Sequence, residues 1–488
     1  MLFELNVKSA INPVSKTEYG LVTFYEPNKK KKSSAKINNI PSYLLKNLED
    51  KETDYIKYYP DKGKILVHFV YKIDKEKITQ DYLRDALAGA IQAFEKENVS
   101  RLYVDLNLDN EYKIFNSIEY MLQSAVEGIF LGNYSFDKYK NEKKRKKLEV
   151  IVLHQNQNLM RKIISETAHL IDAVFFAKDL VNEPAISLTP KSFFQRIKNK
   201  LKIAEIKVTA LTKAEMQKIK MNAILAVGNG SENPPYLIKL HYKPKQKPKK
   251  KIALVGKGVT YDTGGYSIKP TNGMYEMKAD MAGAATVVGT ILAAAKSNLP
   301  IELLGYIPAV ENMISGKAYR PGDIIRSYSG KTIDVKDTDA EGRIVLADAL
   351  TYACEAKPEQ IIDFATLTGA VAVALGVYRA GVFTNVQELS DKLIDSGEKT
   401  YELLWQLPFG KEYEKLIKSD LADVSNLGPR WGGAITAGKF LEHFVDKKIP
   451  WVHIDLAGPA LSHDLNSYSK KYNTGFGVRL MYDYLKNF

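Results

Sequence analysis

Cysteine is almost missing from this chain: Cys354 is the single one in 488 residues. One thiol excludes an intramolecular disulfide framework and suits a reducing compartment. Its place in the apolar stretch Ile344 to Glu355 reads as a buried structural thiol on a helix rather than a nucleophile. Histidine is also scarce. His68, His154, His169, His241, His443, His453 and His463 are scattered and form no HExxH pair, so a histidine-based zinc site is not indicated. No GxSxG elbow surrounds Ser267 or Ser315, which argues against a serine hydrolase. Neither GxxxxGK[ST] nor GxGxxG occurs in the glycine-rich stretch after residue 255, which argues against a phosphate loop.

Long apolar runs are missing as well. Met281 to Ala295 and Gly369 to Tyr378 fall short of a membrane span and read as buried helix or strand. The first residues, Met1 to Lys8, turn polar before a signal-peptide core forms. A cytoplasmic protein without a membrane partner is therefore expected. Acidic residues are thin in the middle of the chain. Residues 151–300 hold 23 basic and 10 acidic side chains, against a net charge of +13 overall. The excess peaks in Lys243-Pro244-Lys245-Gln246-Lys247-Pro248-Lys249-Lys250-Lys251, which reads as an exposed loop before a strand, with further runs at Lys29 to Lys32 and Lys143 to Lys147. Such patches attract nucleic acid at low salt. With no helix-turn-helix or stacking-aromatic motif, a solvated lysine surface is the expectation and nucleic acid at most a weak partner.

At 488 residues the chain exceeds what one core usually covers. Alternating strand and helix patterns run to about residue 155: Lys64 to Tyr71, Tyr82 to Lys96, Leu102 to Leu106, Ile114 to Phe130 and Leu148 to Leu153. A long helix, about Asn158 to Leu180, follows, and the βαβ rhythm then resumes as a larger unit. The expected architecture is α/β in two domains: a smaller N-terminal α/β domain, 1–165, ending in the start of a linker helix, and a larger C-terminal α/β domain, 166–488, with a mixed central sheet. Strands at Ile252 to Val255, Glu302 to Ala309 and Gln360 to Ala365 each feed a motif-bearing loop, where open α/β sheets place their sites.

Two motifs carry chemistry. In Asp337-Thr338-Asp339-Ala340-Glu341-Gly342-Arg343 two carboxylates stand one residue apart and a guanidinium follows. Read as an extended segment, alternate side chains share a face, so Asp339 and Glu341 can meet on one cation while Arg343 holds an anion beside it. Like charges that close repel unless a divalent metal lies between them, and such a metal can generate a nucleophile from water near neutral pH. The second motif, Val255 to Pro270, is a strand end opening into a glycine-rich loop that carries Lys257, Asp262 and Lys269. Asp280 follows just ahead of a small-residue helix. Lysine ligates a metal only as the neutral amine, so Lys257 needs a strongly lowered pKa, which an adjacent dication can enforce. Lys269 is better suited to staying charged. A carboxylate-and-lysine set is hard in character, so manganese, magnesium and cobalt are plausible besides zinc.

On these residues the chain resembles the leucine aminopeptidases, cytosolic dimetal exopeptidases of the M17 type. Their signature usually reads NTDAEGR, and here it is DTDAEGR with Asp337 in the first place. The resemblance continues through Asn312 to Asp323, Ala365-Thr366-Leu367-Thr368-Gly369-Ala370 and Thr474 to Arg479, and so covers roughly the last three hundred residues. It implies two divalent ions per subunit, with Lys257, Asp262, Asp280 and Glu341 ligating the tighter one and Asp262, Asp339 and Glu341 the more exchangeable one. It implies attack by a bridging water or hydroxide, capture of the substrate α-amino group by a metal, and a carbonyl polarised by Lys269. A bicarbonate held by Arg343 and by backbone of Leu367 and Gly369 is then the general base. The side-chain pocket it implies is Met277, Thr366, Gly369, Ala457 and Ala460, apolar and suited to Leu or Met. Mammalian relatives tend to have methionine at the last position, so Ala460 enlarges this pocket. Tyr266 and Asp337 depart from the pattern with no effect assigned. The resemblance further implies a homohexamer acting on peptides with a free N-terminus. A DNA-binding architectural role is the alternative, but the full set of ligand residues favours the enzyme.

Overall fold

A computed structural model describes residues 1–13, 17–26, 40–50, 53–74, 78–108, 115, 117–141, 145–461, 465–469 and 473–488. The lysines of 29–32, Lys143, Lys144, Ile114 and His463 lie outside the described residues. The chain forms two compact units, Met1–Ile171 with Asn466–Lys470, and Asp172–Leu465 with Lys471–Phe488. The helix Gln157–Asn182 runs from one into the other.

The first unit is built on a six-stranded sheet ordered Phe3–Ala10, Lys146–Leu153, Arg101–Asp105, Tyr19–Tyr25, Ile65–Lys72, Tyr55–Tyr58. Every pairing is parallel except the last, where Tyr55–Tyr58 closes the edge antiparallel. Strands such as Ile65–Lys72, ILVHFVYK, are apolar on both faces because parallel strands are covered on both sides. The helices Tyr82–Phe94 and Ile118–Leu131 pack together over one face. Ser117 starts the second by accepting the Tyr120 N–H at 3.2 Å. Between them Arg84, 2% exposed, donates to Asp81 at 2.6 Å and Glu127 at 2.8 Å.

The second unit has a nine-stranded mixed sheet. Its main path runs Leu404–Gln406, Ala380–Thr384, Trp451–Asp455, Gln360–Ala365, Lys250–Gly256, Ile301–Asn312, Tyr236–Tyr242, Lys207–Leu211, and Gly258–Asp262 pairs with the far half of Ile301–Asn312. The three central strands, Gln360–Ala365, Lys250–Gly256 and Ile301–Asn312, are parallel, as is Trp451–Asp455 beside them. Their carboxyl ends therefore open on one edge, where loops can gather side chains from several strands. The helices Ala282–Lys296 and Glu341–Glu355 cover the sheet. Thirteen of the fifteen residues of Ala282–Lys296 are buried, which its alanine and valine run requires.

Three expectations need correction. The helix carrying Cys354 begins at Glu341, not Ile344, so Glu341 and Arg343 lie on its first turn rather than in an extended segment. Gly369 to Tyr378 is not buried. It is a short helix, Gly369–Leu375, with Val371 buried, and Val373 and Tyr378 are 89% and 63% exposed. Cys354 is half-buried, its sulfur accepting the Asp446 N–H at 3.4 Å. The apolar helical stretch Thr271–Lys296 does reach membrane-spanning length by composition, but 89% of its apolar window is buried, as in a core helix.

Candidate metal centre

The side chains that converge at the open edge come from five segments. Lys257 follows the strand Lys250–Gly256 and Asp262 ends the next one. Asp280 caps a short 3₁₀ turn, Met277–Ala279, and Asp339 stands in the turn before the helix that Glu341 begins. Lys269 lies on the glycine-rich loop. Gly264 is needed there, since it has φ +84° and a Cβ would sit 2.4 Å from the Ser267 carbonyl oxygen. Gly342 answers a packing demand instead, because a Cβ would fall 2.5 Å from Cε of Lys257. The helix start and the lysine thus lie in direct contact.

Asp262, Asp280 and Glu341 each offer a carboxylate oxygen within 4.8 Å of the others, and all three are buried. The Lys257 ammonium lies 2.8 Å from Asp280 and 2.8 Å from Glu341, and donates to the Thr366 carbonyl at 3.1 Å. Lys269 lies 3.0 Å from Asp262 and 2.5 Å from Asp339. Burial alone would lower the Lys257 pKa, but the charges of Asp280, Glu341 and Asp262 outweigh it and raise it above the ordinary lysine range. Without a metal, Lys257 is therefore an ammonium, the reverse of the neutral amine a ligand requires. Burial and carboxylate repulsion push the acids up: Asp280 and Glu341 rise, and Asp339 goes to about 7 with Asp262 as its main charged neighbour. Two ammonium groups do not balance four carboxylates.

The remaining imbalance is visible atom by atom. Asp280 Oδ2, Asp339 Oδ1 and Glu341 Oε1 are buried and lack a hydrogen-bond partner, although a lysine lies within ion-pair distance of each. Buried carboxylate oxygens left so are costly, and several aimed at one another fit a hard divalent cation. The donor set suits such ions.

Residues not singled out from the sequence hold this cluster in shape. Asn312 donates through Nδ2 to Asp262 at 2.8 Å and to the Thr338 carbonyl at 3.0 Å. Tyr319 donates to the same carbonyl at 2.8 Å. Asn426 clamps the acidic loop from the other side, donating to the Asp337 carbonyl at 2.6 Å and accepting the Lys336 N–H at 2.8 Å. Its own carbonyl takes Nη1 of Arg343 at 2.8 Å. Asparagines in turns are too common to be singled out by type alone. Asp337 accepts the Asp339 N–H at 2.8 Å, a bond that an asparagine there could also make.

Arg343 is buried, its Nε lacks a partner, and burial lowers its pKa to about 10 despite Glu341 and Asp455 nearby. Of the backbone groups expected at an anion beside it, the Leu367 N–H is already given to Asp455 at 3.1 Å, whereas Gly369 is exposed with open space around it. Of the pocket residues, Thr366 joins the cluster directly by donating to Asp280 at 2.8 Å. Met277 and Ala457 are half-buried and Ala460 is buried. Tyr266, 45% exposed, donates to the Ser315 carbonyl at 3.1 Å. Among the described residues the histidines stay outside: His453, for example, pairs with Asp363 at 2.6 Å in the core.

Comparison with known proteins places these features in one group. Residues 175–482 match the catalytic domain, and residues 74–143 the N-terminal domain, of the cytosol aminopeptidase family. A Chloroherpeton thalassium protein described as "Probable cytosol aminopeptidase" is 38% identical over 503 residues, covering 99% of this chain and 97% of its own. A Persephonella marina protein of the same description is 43% identical, covering 88% and 87%. Among solved structures, a mutant of tomato leucine aminopeptidase aligns with TM-score 0.88 at 30% identity, covering 100% of this chain and 97% of that one. The bottromycin maturation enzyme BotP in complex with Mn aligns with TM-score 0.84 at 30% identity, covering 96% and 98%.

Proposed function

The chain belongs to the cytosol aminopeptidase family and is a peptidase; on that premise we propose that it is a cytoplasmic, dimetal leucyl-type aminopeptidase. The observation that carries the reading is the convergence of the buried carboxylates of Asp262, Asp280 and Glu341, whose oxygens lie within 4.8 Å of one another, with Asp339 beside them. Lys257, Asp262, Asp280 and Glu341 would hold one ion and Asp262, Asp339 and Glu341 the other, with manganese, zinc, cobalt or magnesium as occupants. When bound, the ions supply Lewis acidity and lower the pKa of water.

The chain's own residues do the rest. Lys269, held charged by Asp262 and Asp339, would polarise the scissile carbonyl and steady the oxyanion. Arg343, with its unpartnered Nε, is suited to hold a bicarbonate, with the exposed backbone at Gly369 as the other contact, and such an anion would supply the general base. Met277, Thr366, Gly369, Ala457 and Ala460 would line the pocket for the first side chain, with Leu and Met preferred and room for larger residues beside Ala460. The substrate is a peptide with a free N-terminus, and the active assembly is a homohexamer.

Hydrolysis of a panel of aminoacyl amides, before and after chelation, tests class, metal dependence and selectivity together. Chelation should abolish turnover, and added Mn²⁺, Zn²⁺ or Co²⁺ should restore it. Full turnover in protein stripped of metal would sink the reading. Light scattering should give about six times the 54.8 kDa chain mass.

A further inference from the structure

Asp455 ends the strand Trp451–Asp455 and is fully buried, yet it touches none of the metal-cluster carboxylates. All of its bonds run to segments that shape the substrate end of the site. One oxygen, Oδ1, accepts the Leu367 N–H at 3.1 Å and the Ala457 N–H at 3.3 Å. The other, Oδ2, accepts the Thr368 hydroxyl at 2.7 Å. The Thr368 oxygen in turn accepts the Val371 N–H at 3.1 Å, which starts the helix Gly369–Leu375. One residue before Leu367, Thr366 bonds both Asp280 and Lys257. A single carboxylate thus ties the loop that leaves the metal cluster to the turn Ala457–Ala460 that lines the pocket.

We propose that Asp455 is a positioning residue that locks the segment Thr366–Gly369 to the pocket turn, so that seating of the first side chain and alignment of the reacting carbonyl depend on each other. The proposal rests on the aminopeptidase reading above. Burying a carboxylate is expensive, and it persists only where donors are fixed to meet it. Here three donors, from Leu367, Thr368 and Ala457, do so. The Arg343 guanidinium adds a charge of opposite sign nearby. On the other side the strand is held rigid by Asp363, which takes Nε1 of Trp451 at 2.7 Å and Nδ1 of His453 at 2.6 Å. A displaced Asp455 would therefore move the loop and not the strand.

The test uses the metal-loaded full chain with Asp455→Asn, Asp455→Ala and Thr368→Val. It reads bound metal, Tm, and kcat and KM separately for leucine, phenylalanine and alanine amides. Asp455→Asn keeps the acceptor for Leu367 and Ala457 but replaces the carboxylate oxygen that accepts the Thr368 hydroxyl with an amide donor. It should lower kcat for leucine amide about tenfold with metal content unchanged and narrow the leucine-to-alanine preference. Thr368→Val should reproduce that pattern from the other side of the bond, and Asp455→Ala should lose about a hundredfold. Thr368→Val covers the case in which the Asp455 variants do not fold. If the variants lose Tm alone, with kcat and selectivity like the parent, Asp455 is a core carboxylate only and the proposal falls. If the unmodified protein, fully metal-loaded, hydrolyses none of the amides, the aminopeptidase reading falls and takes this proposal with it.

Discussion

Both units bury a knot of opposite charges, and the two knots are built to different rules. In the first unit Arg84 meets Asp81 and Glu127, Gln123 donates to Glu127 at 2.9 Å, and Tyr468 donates to Asp81 at 2.7 Å. None of its buried side-chain atoms among the described residues is without a partner. In the second unit Lys257 and Lys269 face four carboxylates, three of which converge with oxygens within 4.8 Å of one another. A finished knot is a structural clasp. An unfinished one is poised to accept something else. Burial and charge alone do not separate the two; the convergence of three carboxylates within 4.8 Å of one another, found in the second unit only among the described residues, does.

The comparison can be broken most sharply by deletion. Asp262→Ala or Glu341→Ala should cut kcat/KM by at least about a thousandfold and lower bound metal measured by elemental analysis, because each would ligate both ions. Arg343→Ala should cost less, about ten- to a hundredfold, since it would position a base that solvent partly replaces. Equal losses across the three would argue against the role given to Arg343.

The clasp should fail differently. Arg84→Met leaves Asp81 and Glu127 buried without their cation, which costs about 3–5 kcal/mol in denaturant titration while kcat per folded molecule is retained. A dead but fully stable Arg84 variant would erase the distinction between the knots.

A pH series sharpens it. Asp339, Asp280 and Glu341 have raised pKa values in the metal-free chain, so the folded state holds protons there that the unfolded state has released. Stability from these groups is present at low pH and is lost as pH rises towards about 7, the value for Asp339. A bound dication reverses that repulsion. The rise in Tm on adding Mn²⁺ should therefore grow from pH 5 to pH 8, and a rise independent of pH would contradict it.

The smallest effect belongs to the lysine loop. Residues 243, 245–247 and 249 are exposed, and Lys249 donates to a Phe488 carbonyl oxygen at 2.6 Å, at the opposite end of the strand Lys250–Gly256 from Lys257. A strand of that length separates them by some 15 Å or more at about 3.3 Å per residue, beyond a Debye length of about 8 Å. Neutralising Lys243, Lys245 and Lys247 should lower heparin retention at low salt and leave kcat within about twofold. A collapse of turnover in an assembled, metal-loaded variant would mean that the loop serves a neighbouring active site.

Much of the candidate site was legible because its residues sit in short ordered motifs: Lys257, Asp262 and Lys269 around the strand Gly258–Asp262 and the loop after it, Asp339, Glu341 and Arg343 across one helix start. The strand Gln360–Ala365 matches its expected bounds, and Lys250–Gly256 is longer only at its ends. The extended reading of Asp339 to Arg343 failed because its polar residues mask a helix start whose first apolar residue is Ile344. The run after Gly369 failed because composition cannot tell a covered apolar helix from an exposed one. Asn312 and Asn426 act through contacts with residues 26 to 90 positions away, and Asp455 reaches Leu367 and Thr368 across 88 and 87 positions, separations that no local pattern encodes. The inclusion of 466–470 in the first unit was illegible for the same reason.

The two lysines carry a last consequence. Many small metal domains are unfolded until the ion arrives, because binding it supplies their folding free energy. Here Lys257 and Lys269 act as resident counter-ions, placed by the strand and the glycine loop where the repulsion is greatest. The chain thus carries provisional cations of its own. On the dimetal reading it would fold before metal arrives, and its activity would be set afterwards by which ions become available. On the same reading, acquiring metal would displace a proton from Lys257 rather than organise a fold, so loading would be a step that supply and pH regulate independently of synthesis.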